Sequence, residues 1–415
     1  MRVSEDCLLR WFAAYPVRPA RASRSMSLRN YHPDTLAIHP ELAGQVAEGF
    51  RNLATPVYRA STVVFDNSAQ FKDRKRAAPW VYGTYGTPTT RTLEVQVNIS
   101  EGAADTCLAP SGLSALTLTY MALLRAGDHV LVPRNVYWPS RSFATDVLPQ
   151  LGIAADFYDP LDLNALDRAF RPNTRLIWVE TPGSVSFEVC DLPAICALSR
   201  RHDAHVAVDN TWSAGRLLKP LELGADLSIQ ALTKYHAGHG DLVMGSVSCR
   251  DAALGERVRR MRNALGLSVS GDDCFLVLRG MQTMSLRLEE LGRRTLAVAR
   301  WLAEQPQVAR VLHPALPDCP GHSIWKRDFS GSASVFSFEF APGVSSQEAD
   351  RWVDHLKVFR VGASWGGTCS LALRMSTAAD WPVLRGELVR LNIGLEHPDD
   401  LRTDLSDAFD ALHTA

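Results

Sequence analysis

The 415-residue sequence has almost no excess of charge: 44 Lys and Arg face 45 Asp and Glu, which leaves −1. So even a balance gives no electrostatic footprint for nucleic acid or for an acidic membrane surface. Long apolar runs are missing too, and no window reaches the roughly 18 uninterrupted apolar residues of a spanning helix. The eight cysteines (Cys7, Cys107, Cys190, Cys196, Cys249, Cys274, Cys319 and Cys369) include no CxxC pair. That spread excludes a disulfide framework and a cysteine-based zinc site, and it predicts small buried hydrophobes in a reducing compartment. His236-Ala-Gly-His239 and His202-Asp-Ala-His205 have no third ligand at useful spacing, so no metal is expected. There is no internal repeat and no low-complexity linker. A secretory h-region is absent because Arg10 breaks the apolar run from Cys7 to Tyr15.

What the chain does have is core. A hydrophobic content of 46% excludes wholesale disorder, and the length predicts two or three domains. Residues 1–25 carry five arginines but also Glu5 and Asp6, and they are expected to form a disordered leader. The default location is the cytoplasm.

From about Thr106 to Val247, short β-rich runs alternate with helical patterns. The predicted strands are Thr106–Ala109, His129–Val132, Ala155–Tyr158, Leu176–Glu180, His205–Asp209, Leu227–Ala231 and Leu242–Val247. Helices are predicted over Ser114–Arg125, Asn164–Phe170 and Pro193–Arg201. This alternation predicts an α/β domain with a mostly parallel, buried sheet. The pattern then changes. Leu288, Leu291, Thr295, Val298 and Leu302 follow helical spacing, and Phe336, Phe338 and Phe340 alternate as in a half-buried strand. With strands over Ser370–Arg374 and Leu388–Ile393 and a C-terminal helix from Pro398, a smaller α+β domain is expected to begin near residue 285.

In open α/β sheets ligands bind beyond the carboxyl ends of the strands. Two such ends carry Asp209 and, just past the next strand, Thr233-Lys234. A partly desolvated lysine there can act as a Schiff-base amine, with the carboxylate partnering a pyridinium nitrogen. A plain salt bridge accounts for the same pair about equally well. Pro110-Ser-Gly-Leu-Ser114 lies between a strand and a helix, where amides can hold a phosphate, although one glycine in such a turn more often marks an ordinary capped turn. Tyr137 closes another strand–helix step, where an aromatic can stack on a ring but taken alone is more often simply packed or exposed. Arg390 interrupts an apolar strand, either as a clamp for a substrate carboxylate or on the solvated face of an edge strand. The glycines of Ser364-Trp-Gly-Gly367 permit close backbone approach.

Taken together, Glu180-Thr-Pro-Gly-Ser184, Val208-Asp-Asn-Thr-Trp212, Thr233-Lys-Tyr235, Gly362-Ala-Ser-Trp-Gly-Gly367 and Val389-Arg-Leu-Asn-Ile-Gly-Leu-Glu396 resemble the Cys/Met-metabolism family of pyridoxal-phosphate enzymes. Val308–Pro317 and Trp325–Phe329 are similar to its carbon–sulfur β-lyase branch, and the resemblance runs from about Val57 to the C-terminus. It implies the fold-type I architecture: an N-terminal arm (26–85), a large cofactor domain (86–284) and a small C-terminal domain (285–415). It also implies pyridoxal 5'-phosphate (PLP) as cofactor, a sulfur amino acid as substrate, and a homotetramer of dimers with no nucleic-acid or membrane partner.

Position by position, the resemblance places Lys234 on the Schiff-base lysine, Asp209 on the pyridine-nitrogen partner and Tyr137 on the stacking tyrosine. Gly112, Leu113 and Thr233 fall on phosphate positions; Ser364, Trp365 and Arg390 fall on the substrate-carboxylate site. Tyr82 falls on a tyrosine donated across the dimer. The implied reaction is β-elimination of L-cystathionine to homocysteine, pyruvate and ammonia, with Lys234 removing the Cα proton and Lys234 or Tyr137 protonating the thiol. One departure stands out. After Tyr82 the lyases usually carry arginine, whereas here Thr84 and Tyr85 follow. A hydroxyl cannot supply a bidentate charged contact, so a smaller or more apolar cysteine S-conjugate is an alternative substrate unless Arg59, Arg74, Arg76 or Arg91 compensates. A γ-synthase or γ-lyase activity, and a non-catalytic protein on the same fold, are the competing expectations.

Overall fold

The computed structural model describes residues 32–39, 53–77, 80–375 and 386–412. The expected leader and the Arg76 side chain lie outside the described residues. Seven strands form the first sheet: β1 (Asp105–Ala109), β2 (His129–Pro133), β3 (Ala154–Tyr158), β4 (Thr174–Glu180), β5 (His205–Asp209), β6 (Leu227–Ala231) and β7 (Gly245–Cys249). Their order is β1-β7-β6-β5-β4-β2-β3. β7 runs antiparallel to both of its neighbours, and every other pair is parallel.

Alternation along these strands buries both faces. Leu176, Trp178 and Ala207 pack with the Gly112–Leu123 helix on one side. Ile177, Val179, Val206 and Val208 pack with the Leu192–Arg201 helix on the other. Each helix start is capped. Ser111 accepts the Ser114 amide at 2.9 Å, and Asp191 accepts that of Ala194 at 3.1 Å. Six of the seven described cysteines are buried, as expected, and Cys369 is exposed.

A second sheet comprises β8 (Val308–Leu312), β9 (Val335–Phe340), β10 (Arg360–Val361), β11 (Leu371–Met375) and β12 (Leu388–Asn392), in the order β10-β11-β12-β9-β8. Phe336, Phe338 and Phe340 enter a core with Trp352 and Phe409. The Met284–Ala303 helix is shared between two cores. Its Leu288 and Leu291 pack with Tyr235 and Trp212, while its Val298 and Leu302 join the second core.

Two expectations need correction. β9 is buried along its whole length rather than half-buried. Glu339, on its polar face, is sealed by the Arg310 guanidinium at 3.0 Å and by the Gly386 amide at 2.5 Å. β7 begins at Gly245, not Leu242. The Thr233 hydroxyl bonds both the amide and the carbonyl of Met244, at 3.0 and 3.1 Å, which holds that residue out of the ladder.

Candidate active site

The carboxyl ends of β4, β5 and β6 open onto a cleft of about 230 Å³. Its lining includes Gly112, Leu113, Tyr137, Glu180, Asp209, Thr211, Thr233, Lys234, Trp365 and Arg390. Residues distant in sequence meet here because parallel strands end on one edge and the second sheet covers it.

Lys234 follows β6 in a turn closed by its own amide on the Ala231 carbonyl at 3.1 Å. Its Nζ donates to Ser364 Oγ at 2.8 Å and lies 5.1 Å from the centre of the Trp365 ring. Burial, helped by the Arg390 charge and opposed by Asp209, lowers the ammonium from 10.5 to about 8. Such an amine gives up its proton near neutral pH, as nucleophilic and base chemistry require.

Asp209 accepts both the hydroxyl and the amide of Thr211, at 2.6 and 3.1 Å. The same hydroxyl takes the Ala231 amide at 2.9 Å, which ties the end of β5 to β6. Burial raises the Asp209 carboxyl, while the Thr211 donors and Lys234 pull it back toward the charged form.

Arg390 does not sit on a solvated edge strand. β12 is interior, with Arg390 opposite Leu373 and Ser337, and the side chain is only 8% exposed. Its Nη2 donates to the Ala363 carbonyl at 2.5 Å, leaving further guanidinium donors for an anion. The 364–367 loop beside it is held from behind. Asn392 Oδ1 accepts the Gly366 amide at 3.0 Å and the Ser334 hydroxyl at 2.7 Å, and Ser334 meets the Tyr235 hydroxyl at 2.8 Å. Gly366 has φ +80°, and a Cβ there would lie 3.2 Å from the Lys234 backbone. The left-handed backbone favours glycine, and the contact leaves a Cβ little room.

PLP has an aldehyde, a pyridine nitrogen, a flat ring and a phosphate, and the residues present match each. Lys234 would serve as the amine, Asp209 as the acceptor for a pyridinium N–H, and Tyr137 as the aromatic. The Gly112 and Leu113 amides that open the Gly112–Leu123 helix have no intrahelical acceptor, and both residues line the cleft. A Cβ on Gly112 would come within 2.6 Å of Ala231 Cβ, so only glycine lets this helix start approach so closely. Thr233 lines the cleft, but its hydroxyl is occupied by Met244.

Three expected residues are not brought in by their own chain. Tyr82, Thr84 and Tyr85 lie on or beside the short Gly83–Tyr85 turn of helix and do not line the cleft. Tyr82 and Tyr85 are 43% and 53% exposed. Nor do the possible substitutes for arginine line it: Arg59 pairs with Asp272, Arg91 bonds Glu94 at 2.9 Å, and Arg74 lies over the Phe71 ring. Glu180, Thr211 and Asn392 make contacts at the site that were not expected. All three sit in motifs already quoted, but only strand register and hydrogen-bond partners reveal what they touch. Among the described residues no His, Cys, Asp and Glu cluster could hold a metal, and no helix is long and apolar enough to cross a membrane.

Comparison with known proteins agrees with this geometry. A family model for Cys/Met-metabolism PLP-dependent enzymes matches residues 34–410. A cystathionine beta-lyase of Bordetella avium is 41% identical over 392 residues, covering 91% of this chain and 98% of its own. An L-alanine/L-glutamate racemase of Wolbachia pipientis is 36% identical, covering 86% and 92%. The crystal structure of a cystathionine gamma-lyase from Lactobacillus plantarum complexed with L-serine superposes with a TM-score of 0.85 at 29% identity, covering 92% of this chain and all of that one. The chain belongs to the Cys/Met-metabolism family of PLP-dependent enzymes.

Proposed function

We propose that the protein is a PLP-dependent carbon–sulfur β-lyase acting on L-cystathionine. The observation that carries this reading is a lysine amine lowered to about 8 between a buried guanidinium and a strand-end carboxylate. When bound, the cofactor supplies an electron sink for charge developing at Cα. Arg390 takes the substrate α-carboxylate, assisted by Ser364 and the Trp365 loop. With the cofactor bound, Lys234 Nζ would accept the Cα proton and return it to the departing sulfur, with Tyr137 as the alternative donor. Asp209 holds the pyridinium proton, and Thr211 steadies its carboxylate. Gly112 and Leu113 would hold the phosphate by their backbone amides, with Thr233, its hydroxyl bonded to Met244, beside them.

The same reading assigns residues 26–85 to an arm that packs on a second subunit, 86–284 to the cofactor domain and 285–415 to the small domain. Val64, Phe71, Tyr82 and Tyr85 leave apolar surface exposed on the arm, which supports a homotetramer in which Tyr82, Thr84 and Tyr85 complete a neighbour's cleft. A cytoplasmic location follows from the reducing compartment the cysteines imply.

The test is a product assay on cofactor-loaded protein offered L-cystathionine and, separately, an S-alkylcysteine. Pyruvate with homocysteine from the first is the expected result. Pyruvate from the S-alkylcysteine alone keeps the elimination but moves the substrate. A 2-oxo acid larger than pyruvate would replace the reading with γ-elimination. The racemase relative supports a second reading, which D-alanine from L-alanine without pyruvate from either thioether would establish. Full biological activity in Lys234→Ala would instead mean a non-catalytic protein.

A further inference from the structure

The cleft contains a second carboxyl with no role in the reaction just described. β4 and β5 are parallel neighbours in which Glu180 pairs directly with Asp209, so two acids end side by side on the same edge. Both line the cleft. Their surroundings differ. Asp209 receives two hydrogen bonds from Thr211 and has the Lys234 cation nearby. Glu180 is 8% exposed, and its Oε2 accepts the Tyr137 backbone amide at 2.7 Å.

Tyr137 immediately precedes the Trp138–Ser142 helix and has no side-chain cap of its own. Its neighbours are set by loop contacts: the Val136 amide reaches the Pro133 carbonyl, and the Ser184 amide reaches the Asn135 carbonyl at 3.0 Å. The Glu180 contact is therefore what joins this residue's own backbone to the end of β4. We propose that Glu180 is a positioning residue for Tyr137, setting where the aromatic ring lies in the cleft through the backbone N–H that it accepts. Two adjacent carboxyls in so dry a place cannot both carry charge. Each acid has two donors, the Thr211 hydroxyl and amide for Asp209 and the Tyr137 amide with the Ser184 hydroxyl for Glu180. It is therefore the Lys234 cation that keeps the charge on Asp209; Glu180 then acts as a neutral acid whose carbonyl oxygen holds the amide. Burial and the Asp209 charge push the Glu180 carboxyl up, in the same sense. A glutamine can do that job; an apolar side chain of similar size cannot.

This inference rests on the cofactor reading, so the test uses purified holoprotein and needs no sulfur substrate. The measurements are the visible circular dichroism of bound PLP and the PLP dissociation constant. Glu180→Gln should leave both within about twofold of the parent. Glu180→Leu, which orphans the Tyr137 amide, should flatten the dichroism and weaken PLP binding by about 10- to 100-fold. In a Tyr137→Ala background, adding Glu180→Leu should change little more, because both act through one ring. A Glu180→Gln protein as impaired as Glu180→Leu would overturn the proposal in favour of a charged role. So would a Glu180→Leu protein like the parent, or losses that add in the double variant. If Glu180→Leu does not fold, Glu180→Gln still decides whether a neutral acceptor suffices. A parent protein with no visible PLP band would overturn the cofactor reading itself, and this inference with it.

Discussion

The amine of Lys234 should combine with PLP far faster near neutral pH than an ordinary lysine does. With a pKa of about 8, roughly one amine in ten is neutral at pH 7. For an amine near 10.4 the fraction is roughly one in 2,500, so the advantage is about 250-fold. The assay is the initial rate at which apoprotein takes up PLP, measured from pH 6 to 11, divided by the rate for N-acetyl-lysine under the same conditions. The division cancels the cofactor's own ionisation. Below about pH 8 both amines gain neutral form tenfold per unit, so the ratio is flat. Above it Lys234 is already neutral while the free amine continues to gain, and the ratio falls about tenfold per unit. The two neighbours should move the break in opposite directions. Asp209→Asn removes the charge that favours the ammonium and shifts it to lower pH; Arg390→Met removes the repulsion and shifts it higher. A ratio near one throughout, or a break that both variants move the same way, would refute the reasoning.

Three further outcomes follow from single contacts. Arg390→Lys gives up the planar fork beside the 364–367 loop and should lower kcat/KM by about 10- to 100-fold, mainly through KM, with the visible spectrum of bound PLP unchanged in a substrate-free titration. Asn392→Leu strands the Gly366 amide and the Ser334 hydroxyl; it should cost about 2–4 kcal/mol in urea unfolding and raise KM as the loop loosens. Phe338→Ala opens a hole among Phe340, Trp352 and Phe409, for a loss of about 3–5 kcal/mol with the cofactor spectrum intact.

The sheet that carries the site was readable from sequence because burial on both faces writes a plain signal. Leu176 to Val179 and Val206 to Val208 are uninterrupted apolar runs that stop at a carboxylate, and a parallel sheet must place those stops on one edge. Asp209 and Lys234 were found that way, although a surface salt bridge would have left the same trace. Arg390 is not legible in the same way. A charge within an apolar strand looks alike whether the strand is interior or at an edge, and only the order of the second sheet decides it. The Pro88–Glu101 helix, with its Thr87 cap and Pro88 at the first turn, lay upstream of the strand–helix alternation and was not anticipated, although its start signal is written in the residues.

The least legible features are those in which a side chain acts on backbone. Asn392 holds a loop amide 26 residues away, and Glu180 holds one 43 residues away. Neither contact leaves a periodicity, and the motifs that contain the two residues do not say which amide each one holds. Both belong to one arrangement around Lys234. The large sheet fixes the amine and its carboxylate at rigid strand ends, while the small sheet brings the guanidinium and its loop across, tied back through Ser334 to Tyr235, the residue next to the lysine. A shift of the small sheet therefore moves the anion clamp and the lysine's own turn together, so the distance from bound carboxylate to base is set by buried hydrogen bonds rather than by the exposed loop. On this geometry, substitutions in the Tyr235–Ser334–Asn392 chain should act on substrate positioning more than on cofactor binding, which the proposed reading assigns to the Gly112 helix start and Asp209 on the other side of the cleft.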